Sequence, residues 1–226
     1  MNEFITTFIS YATNDNVNIH NIGYKIFKRL FDIAVSLIGL LLLIPLTIII
    51  KIAYMLSGDF TKVIFTQDRI GLNGKHFKFY KFRSMVPNAD EALKKLLAEN
   101  EDLRKEYELN KKLKNDPRIT KVGKLIRHAS IDEIPQFINI LKGDMSLIGN
   151  RPYLPREKED MGMYYNHIVK TKPGLTGYWQ TSGRSNTTFE RRLGLESHYS
   201  NNQTFKLDVK IFFKTFSVVL FGRGAE

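Results

Sequence analysis

Between Ile33 and Ile50 only Ser36, Gly39, Pro45 and Thr47 interrupt an otherwise apolar run. A helix of about 18 such residues is long enough to cross the hydrocarbon core of a bilayer. Its apolar side chains occur at every angle around the helix axis, unlike those of an amphipathic surface helix. A buried core helix is the ordinary alternative. A secretory signal fits poorly, because the run begins far from the terminus and no small-residue cleavage site follows it. Pro45 removes a backbone hydrogen bond and crowds the preceding turn, so a kink or break is expected there. Lys25, Lys28 and Arg29 precede the run, and Lys51, Lys62, Arg69, Lys75 and Lys78 follow it. Basic flanks prefer the cytoplasmic side, and here both flanks are basic. The sequence therefore predicts a re-entrant helix hairpin over 25–56 that bends at Pro45 and returns to the leaflet it entered. Asp32 is expected to pair with Arg29 or Lys28, since a lone carboxylate near hydrocarbon is costly.

The chain of 226 residues is long enough for one domain beside that segment. Residues 1–24 read as a polar, asparagine-rich leader, and 57–226 as the domain itself. Lysine and arginine total 34 against 23 acids, a formal charge of +11. That balance favours an anionic partner: nucleic acid, an anionic lipid surface or a phosphorylated substrate. No groove-reading motif is present, so a nucleic-acid partner is not expected. The chain has no cysteine, which excludes a disulfide framework, a thiolate metal site and a thiol nucleophile, and fits a cytosolic setting.

From Val63 to Met85 the strand formers Val63, Phe65, Phe77, Phe79 and Phe82 flank a turn at Gly71 to Gly74. Lys78, Lys81 and Arg83 alternate with the aromatics, either as a solvated strand face or as the floor of an anion site. Ala89 to Lys114 reads as one charged amphipathic helix with Leu93, Leu96, Leu97, Leu103 and Tyr107 on its stripe, ended by Asp116-Pro117. It suits docking or a dimer contact, and a homodimer is one expectation. In Phe205 to Phe221, Lys206, Lys210 and Lys214 make a cationic stripe opposite an aromatic and aliphatic face. A helix lying in the headgroup region requires that arrangement, and a soluble core helix with a lysine face is the rival. The fold class is α+β: a membrane-associated domain with the N-terminal hairpin, interfacial amphipathic helices and a small β element.

The chemistry concentrates in Arg127-His128-Ala129-Ser130-Ile131-Asp132-Glu133-Ile134-Pro135-Gln136. Ile134, Phe137, Ile138 and Leu141 follow a helical period and predict a buried face, which puts Asp132, Gln136 and Asn139 opposite with Glu133 beside them. The acidic pair has an ordinary explanation. Ser130 and Glu133 have capping-box spacing, and Asp132 can itself be an N-cap. Spacing alone favours capping over catalysis. Downstream lie Gly143 to Pro152 with Arg151 inside, Lys172-Pro173-Gly174-Leu175-Thr176-Gly177, and Ser182-Gly183-Arg184-Ser185. Loops of this kind hold phosphate oxygens through backbone amides and guanidinium forks. Three of them beside an acidic pair and a membrane hairpin suggest an enzyme for a phosphorylated substrate.

Taken in order, Lys28-Arg29-Leu30-Phe31-Asp32, Ile64 to Gly71, Lys81-Phe82-Arg83-Ser84-Met85, Ser130-Ile131-Asp132-Glu133, Arg151-Pro152 and Pro173 to Gly177 resemble the bacterial sugar transferases, the monotopic phosphoglycosyl transferases. Asn115-Asp116-Pro117-Arg118, Trp179 to Ser185 and the ending Phe221 to Ala225 resemble the branch of undecaprenyl-phosphate galactose phosphotransferases. Members of that branch often carry extra membrane helices ahead of this domain, so the resemblance implies a minimal catalytic unit on the cytoplasmic face of the bacterial inner membrane. Two departures stand out. Asn150 occupies a place where the family usually has proline, which bears on loop rigidity. Ile44 precedes Pro45 in place of serine, which bears on the sharpness of the hairpin.

The resemblance implies transfer of a hexose phosphate from a UDP-sugar to undecaprenyl phosphate, with UMP released and Asp132 as the covalent nucleophile. It implies Mg²⁺ held by Asp132 and Glu133, and phosphate binding by Arg151, with Arg83, Arg127 and Arg184 behind it. The alternative is a membrane-tethered, non-catalytic scaffold that binds anionic lipid. Such a scaffold has no need of an acidic pair beside arginine loops, and no dependence on metal.

Overall fold

The computed structural model describes residues 22–182 and 187–220. The leader up to residue 21, the segment that carries Arg184, and residues 221–226 lie outside the described residues.

Helix α1 runs uninterrupted over Ile22–Leu56 with Pro45 inside it. Of the expected kink or break at Pro45, the break is absent: the chain keeps the helical conformation through it. Thr47 Oγ1 donates to Leu43 O and Ser36 Oγ to Asp32 O, each at 2.6 Å, so both hydroxyls are satisfied within the helix. Packing holds the helix in place. Asp32, Ser36, Gly39, Ile50 and Tyr54 are buried along one side, and Leu43 and Leu46 pack on the same side. Gly39 is required there, because a Cβ would fall 2.4 Å from the Phe137 ring. The other side exposes Leu37, Ile38, Leu41, Leu42, Ile44, Ile48 and Ile49. One body therefore supports the whole helix, and its outer surface is hydrocarbon.

The N-terminal end of α1 is tied down by charge. Lys28 pairs with Asp208 and donates to Ile148 O. Asp32 is held differently from expectation: its Oδ1 accepts the Leu147 N–H at 2.9 Å and the Ser146 hydroxyl at 3.1 Å. A buried carboxylate satisfied by a backbone amide and a hydroxyl has no need of Arg29. Arg29 instead donates to Ile140 O and Leu141 O.

The expected hairpin is present. β1 (Ile64–Ile70) and β2 (His76–Phe82) pair antiparallel, from Ile64 opposite Phe82 to Ile70 opposite His76. The turn uses positive φ at Asn73 and Gly74. This hairpin is the keel of the domain. Phe79 sits in a core with Ile140, Met145, Leu147, Tyr199 and Ile211. Ile70 joins Tyr153, Met161, Ile168, Phe189 and Leu193, and Phe82 joins Ile50, Tyr54, Val63 and Ile126. Truncating Phe82, which is fully buried, removes about 3–5 kcal/mol.

The single helix expected over 89–114 is two: α2 (Ala89–Glu99) and α3 (Glu101–Asn110). Asn100 leaves the helical conformation and caps α3, accepting the Leu103 N–H at 3.0 Å. Helix α4 (Lys121–His128), a 3₁₀ turn (Ile131–Glu133) and α5 (Gln136–Lys142) follow. Strand β3 (Ser146–Ile148), short helices α6 (Lys158–Met161) and α7 (Tyr165–Ile168), and strand β4 (Gly174–Thr176) come next. β3 and β4 pair in parallel, Ser146 opposite Gly174 and Ile148 opposite Thr176. The chain ends in α8 (Tyr178–Ser182), α9 (Phe189–Asn201) and α10 (Phe205–Leu220).

Lys206, Lys210 and Lys214 are exposed on α10, as are Phe205, Val209, Phe213 and Phe216. The aromatic face lies beside the lysines, not opposite them. The opposite face, with Asp208 and Ile211, is buried. Phe27 and Phe31 of α1 meet Phe205 and Phe212 edge-on, so α1 and α10 together form one continuous apolar surface bordered by lysines.

Candidate active site

A polar face of α5 aligns the site. Ile134 and Phe137 pack against core clusters, as the helical period predicts, and Gln136, Asn139 and Ile140 are buried more deeply still. Asn139 explains the second buried side. Its Oδ1 accepts the Tyr80 N–H at 3.0 Å, and its Nδ2 donates to Lys78 O at 2.6 Å. A carboxamide thereby completes the free edge of β2, and the apolar face of α5 turns toward α1. The 3₁₀ turn ahead of α5 is brought against the end of β2 that carries Lys81.

That turn carries Asp132 and Glu133. Ser130, at positive φ, makes no side-chain cap bond, and Pro135 occupies the N-cap position of α5. The capping explanation of the acidic pair thus has no counterpart in the geometry. Asp132 is buried, and burial raises its carboxyl above the ordinary carboxylate range, opposed by Lys81 and Arg127. Glu133 beside it is exposed to solvent, with protein atoms crowding its carboxyl. That crowding and then the Asp132 charge push it up to about 7, against Lys81, Arg151 and Arg127. Lys81 is pulled down to about 8, by burial first and against the pull of Asp132.

The predicted arginines divide. Arg127, exposed on the last turn of α4, acts on both acids, and Arg151, after β3, acts on Glu133. Arg151 makes no ion pair with Asp144, which lies beside Asn139, and its buried Nε has no partner among the described residues. Arg83 is directed elsewhere. Its guanidinium donates to Lys62 O and Met85 O, pairs with Asp59 at 2.8 Å and stacks on Tyr54. Its fork holds the hairpin to α1, and we assign it no substrate contact. Arg184 lies outside the described residues.

The glycine loops also differ from expectation. A Cβ on Gly149 would sit 2.3 Å from Lys172 O, and one on Gly174 2.1 Å from Gly149 N. The two backbones interlock, with Gly149 N–H donated to Thr176 O and Gly174 N–H to Asn150 O. Those amides are spent on pairing and hold no anion. Asn150, where the resemblance leads one to expect proline, ties the loop down by hydrogen bonds: its Nδ2 reaches Ile168 O, Thr171 Oγ1 and Ser200 Oγ.

Three residues that the sequence did not mark as site residues surround Arg151. Arg69 donates to Pro152 O at 3.0 Å, and burial followed by repulsion from Arg151 lowers it to about 9. Arg192 lies 4.4 Å over the Trp179 ring, which Arg151 also approaches at 5.9 Å. Glu196 accepts the Arg151 N–H at 3.1 Å. No short-range signal links residues 69, 151, 192 and 196; only the fold does.

Magnesium binds through one or two carboxylates, water and substrate phosphates. Asp132 and Glu133 form no ion pair and no side-chain hydrogen bond among the described residues. No group of three or more metal-ligating side chains occurs among the described residues either. The pair therefore fits a hard cation whose coordination a phosphorylated ligand completes. The cleft offers a desolvated carboxylate, a second acid titrating near neutrality, and three cations, an arrangement suited to chemistry on phosphate.

Comparison with known proteins agrees. Residues 23–222 match the family described as bacterial sugar transferase. The undecaprenyl-phosphate galactose phosphotransferase of Salmonella typhimurium is 44% identical over 92% of this chain. The exopolysaccharide production protein ExoY of Rhizobium meliloti is 38% identical over 88%. The UDP-glucose:undecaprenyl-phosphate glucose-1-phosphate transferase of Klebsiella pneumoniae is 38% identical over 84%. The chain spans 43% of the Salmonella protein and 39% of the Klebsiella protein, and 87% of the Rhizobium one.

Proposed function

The chain belongs to the bacterial sugar transferase family, and we propose that it moves a hexose phosphate from a UDP-sugar to undecaprenyl phosphate at the cytoplasmic face of the inner membrane, initiating a surface polysaccharide. The observation that carries this reading is the uncapped Asp132–Glu133 pair facing Lys81, Arg127 and Arg151. The names of the Salmonella and Klebsiella relatives supply the lipid acceptor and two sugars. Galactose is the proposed cargo, following the relative at 44% identity.

In the first step an Asp132 carboxylate oxygen attacks the β-phosphorus of the nucleotide sugar. The bond from that phosphorus to the bridging oxygen breaks, and UMP leaves with the electron pair. Lys81 and Arg127 favour the ionised carboxylate that this attack needs. Arg151 offers a planar fork to the phosphate oxygens, which an ammonium cannot do. In the second step an oxygen of the lipid phosphate attacks the same phosphorus and frees Asp132, giving a polyprenyl diphosphate sugar. Asp132 and Glu133 would hold Mg²⁺, which neutralises charge on the diphosphate.

The acceptor is a membrane lipid, and the exposed apolar side of α1 with the Phe205, Phe213 and Phe216 face of α10 suits a bilayer. Tyr54 near one end of α1 and Asp32 toward the other pack on the same domain. Both ends then stay on one side of the membrane, so the proposed attachment is monotopic. The direct test offers the purified protein undecaprenyl phosphate with a panel of UDP-sugars, and reads the lipid products by mass. A lipid diphosphate hexose formed with UMP is expected, most with UDP-galactose. If no UDP-sugar gives a lipid product, the reading fails.

A further inference from the structure

The loop that bears Arg151 is held from one face of α9. Arg192, Glu196 and Ser200 recur every four residues on that helix, so they share a face. Ser200 Oγ accepts from Asn150 Nδ2, Glu196 Oε1 accepts the Arg151 N–H, and Arg192 stacks on Trp179. Glu196 is 1% exposed. A fully buried carboxylate is costly unless a specific contact justifies it. The groups around it are Arg151, Arg192 and Tyr153. Its Oε2 faces the Tyr153 hydroxyl, and the Nε atoms of Arg151 and Arg192 are buried without hydrogen-bond partners among the described residues.

We propose that Glu196 is the positioning residue of the phosphate clamp: by holding the Arg151 backbone it aims that guanidinium across the cleft at the Asp132–Glu133 pair. This rests on the reading of Arg151 as a phosphate ligand. The held atom is a backbone amide, so an uncharged acceptor of the same length does the work. Burial agrees, pushing Glu196 up to about 7, so that its neutral form is well populated in the fold at neutral pH. A counter-charge role for the arginine cluster makes the opposite demand, because there the charge matters and the reach does not.

Glu196→Gln, Glu196→Asp and Glu196→Ala, made in the full chain and assayed beside the wild type, separate these roles. Glu196→Gln keeps the acceptor at full length, and its kcat should stay within about threefold of wild type. Glu196→Asp keeps the charge but withdraws it by one methylene. Losing that bond should lower kcat about tenfold, with little change in KM for the lipid. Glu196→Ala should match Glu196→Asp or fall below it. Hydrogen exchange over residues 149–154 should speed up in the Asp and Ala variants and stay at the wild-type rate in the Gln variant. Should Glu196→Ala fail to fold, the Gln and Asp pair still decides. Asp activity equal to or above Gln activity, or unchanged exchange in Glu196→Asp, overturns the proposal. An inactive wild type overturns the function reading instead, and the exchange ranking still tests the hold on Arg151.

Discussion

Asn139 Oδ1 accepts the Tyr80 N–H at 3.0 Å, so a side chain of α5 takes the place of a neighbouring strand at the open edge of β2. With the Nδ2 bond to Lys78 O, it fixes the distance between the turn that carries Asp132 and the strand that carries Lys81. Asn139→Ala leaves a partly buried strand N–H and C=O without their partner, at up to about 1–3 kcal/mol each. The variant should melt well below wild type and lose activity even where it remains folded. Asn139→Asp should fare no better, since a carboxylate cannot donate to Lys78 O. Thermal unfolding of both variants, with kcat measured below their midpoints, checks this.

Two arginines that look alike in sequence should behave differently. Arg151 has a buried Nε without a partner, whereas Arg83 spends its fork on Lys62 O, Met85 O and Asp59. Arg151→Lys should keep its melting temperature and lose about one to two orders of magnitude in kcat/KM. Arg83→Lys should lose stability first, with activity following the folded fraction. If Arg151→Lys stays within about threefold of wild type, Arg151 leaves the proposed site.

The strands, their turn and the acidic pair were legible because each has a local cause: strand formers around Gly71 to Gly74, and two acids in a window resembling a known motif. On α5 the apolar side packs on α1, with Phe137 against Gly39. The opposite side is buried too, which the period does not reveal, because Asn139 is drawn inward by a strand edge that lacks a partner. At Pro45, where the sequence predicts a kink or a break, the helix stays continuous, with Leu43 and Leu46 on either side of the proline packed on the domain. Arg69, Arg192 and Glu196 were invisible because residues so far apart in sequence meet Arg151 only once the chain has folded.

Titration gives a third expectation. Glu133 ionises near 7 and Lys81 loses its proton near 8. If the carboxylate and the ammonium are both needed, kcat/KM rises as pH climbs through about 7 and falls again beyond about 8. For stability, the folded value of Glu133 lies above its ordinary one. Its protonated form therefore favours the fold at low pH, and that contribution is lost as pH rises through about 7. With divalent metal chelated, Glu133→Gln should melt higher than wild type at pH 8 and close to it near pH 5, while losing activity. A lower midpoint at pH 8 would contradict the assigned desolvation.

The attachment of α1 can be read by labelling, since the chain has no cysteine of its own. Single cysteines at Asn16 and Gly74 flank the helix. In intact cells a membrane-impermeant thiol reagent should reach neither, and after permeabilisation it should reach both. Labelling at Asn16 alone in intact cells would mean that α1 crosses the bilayer.

The covalent role of Asp132 is tested most directly by intact-protein mass measurement after incubation with UDP-galactose and Mg²⁺ but no lipid acceptor. The wild type should gain one phosphohexose, mapped to the peptide that contains Asp132, and lose it when undecaprenyl phosphate is added and the lipid product appears. Asp132→Asn should fold, gain no mass and form no product. A folded Asp132→Asn that turns over within about threefold of wild type, or a phosphohexose mapped to another residue, would contradict Asp132 as the nucleophile.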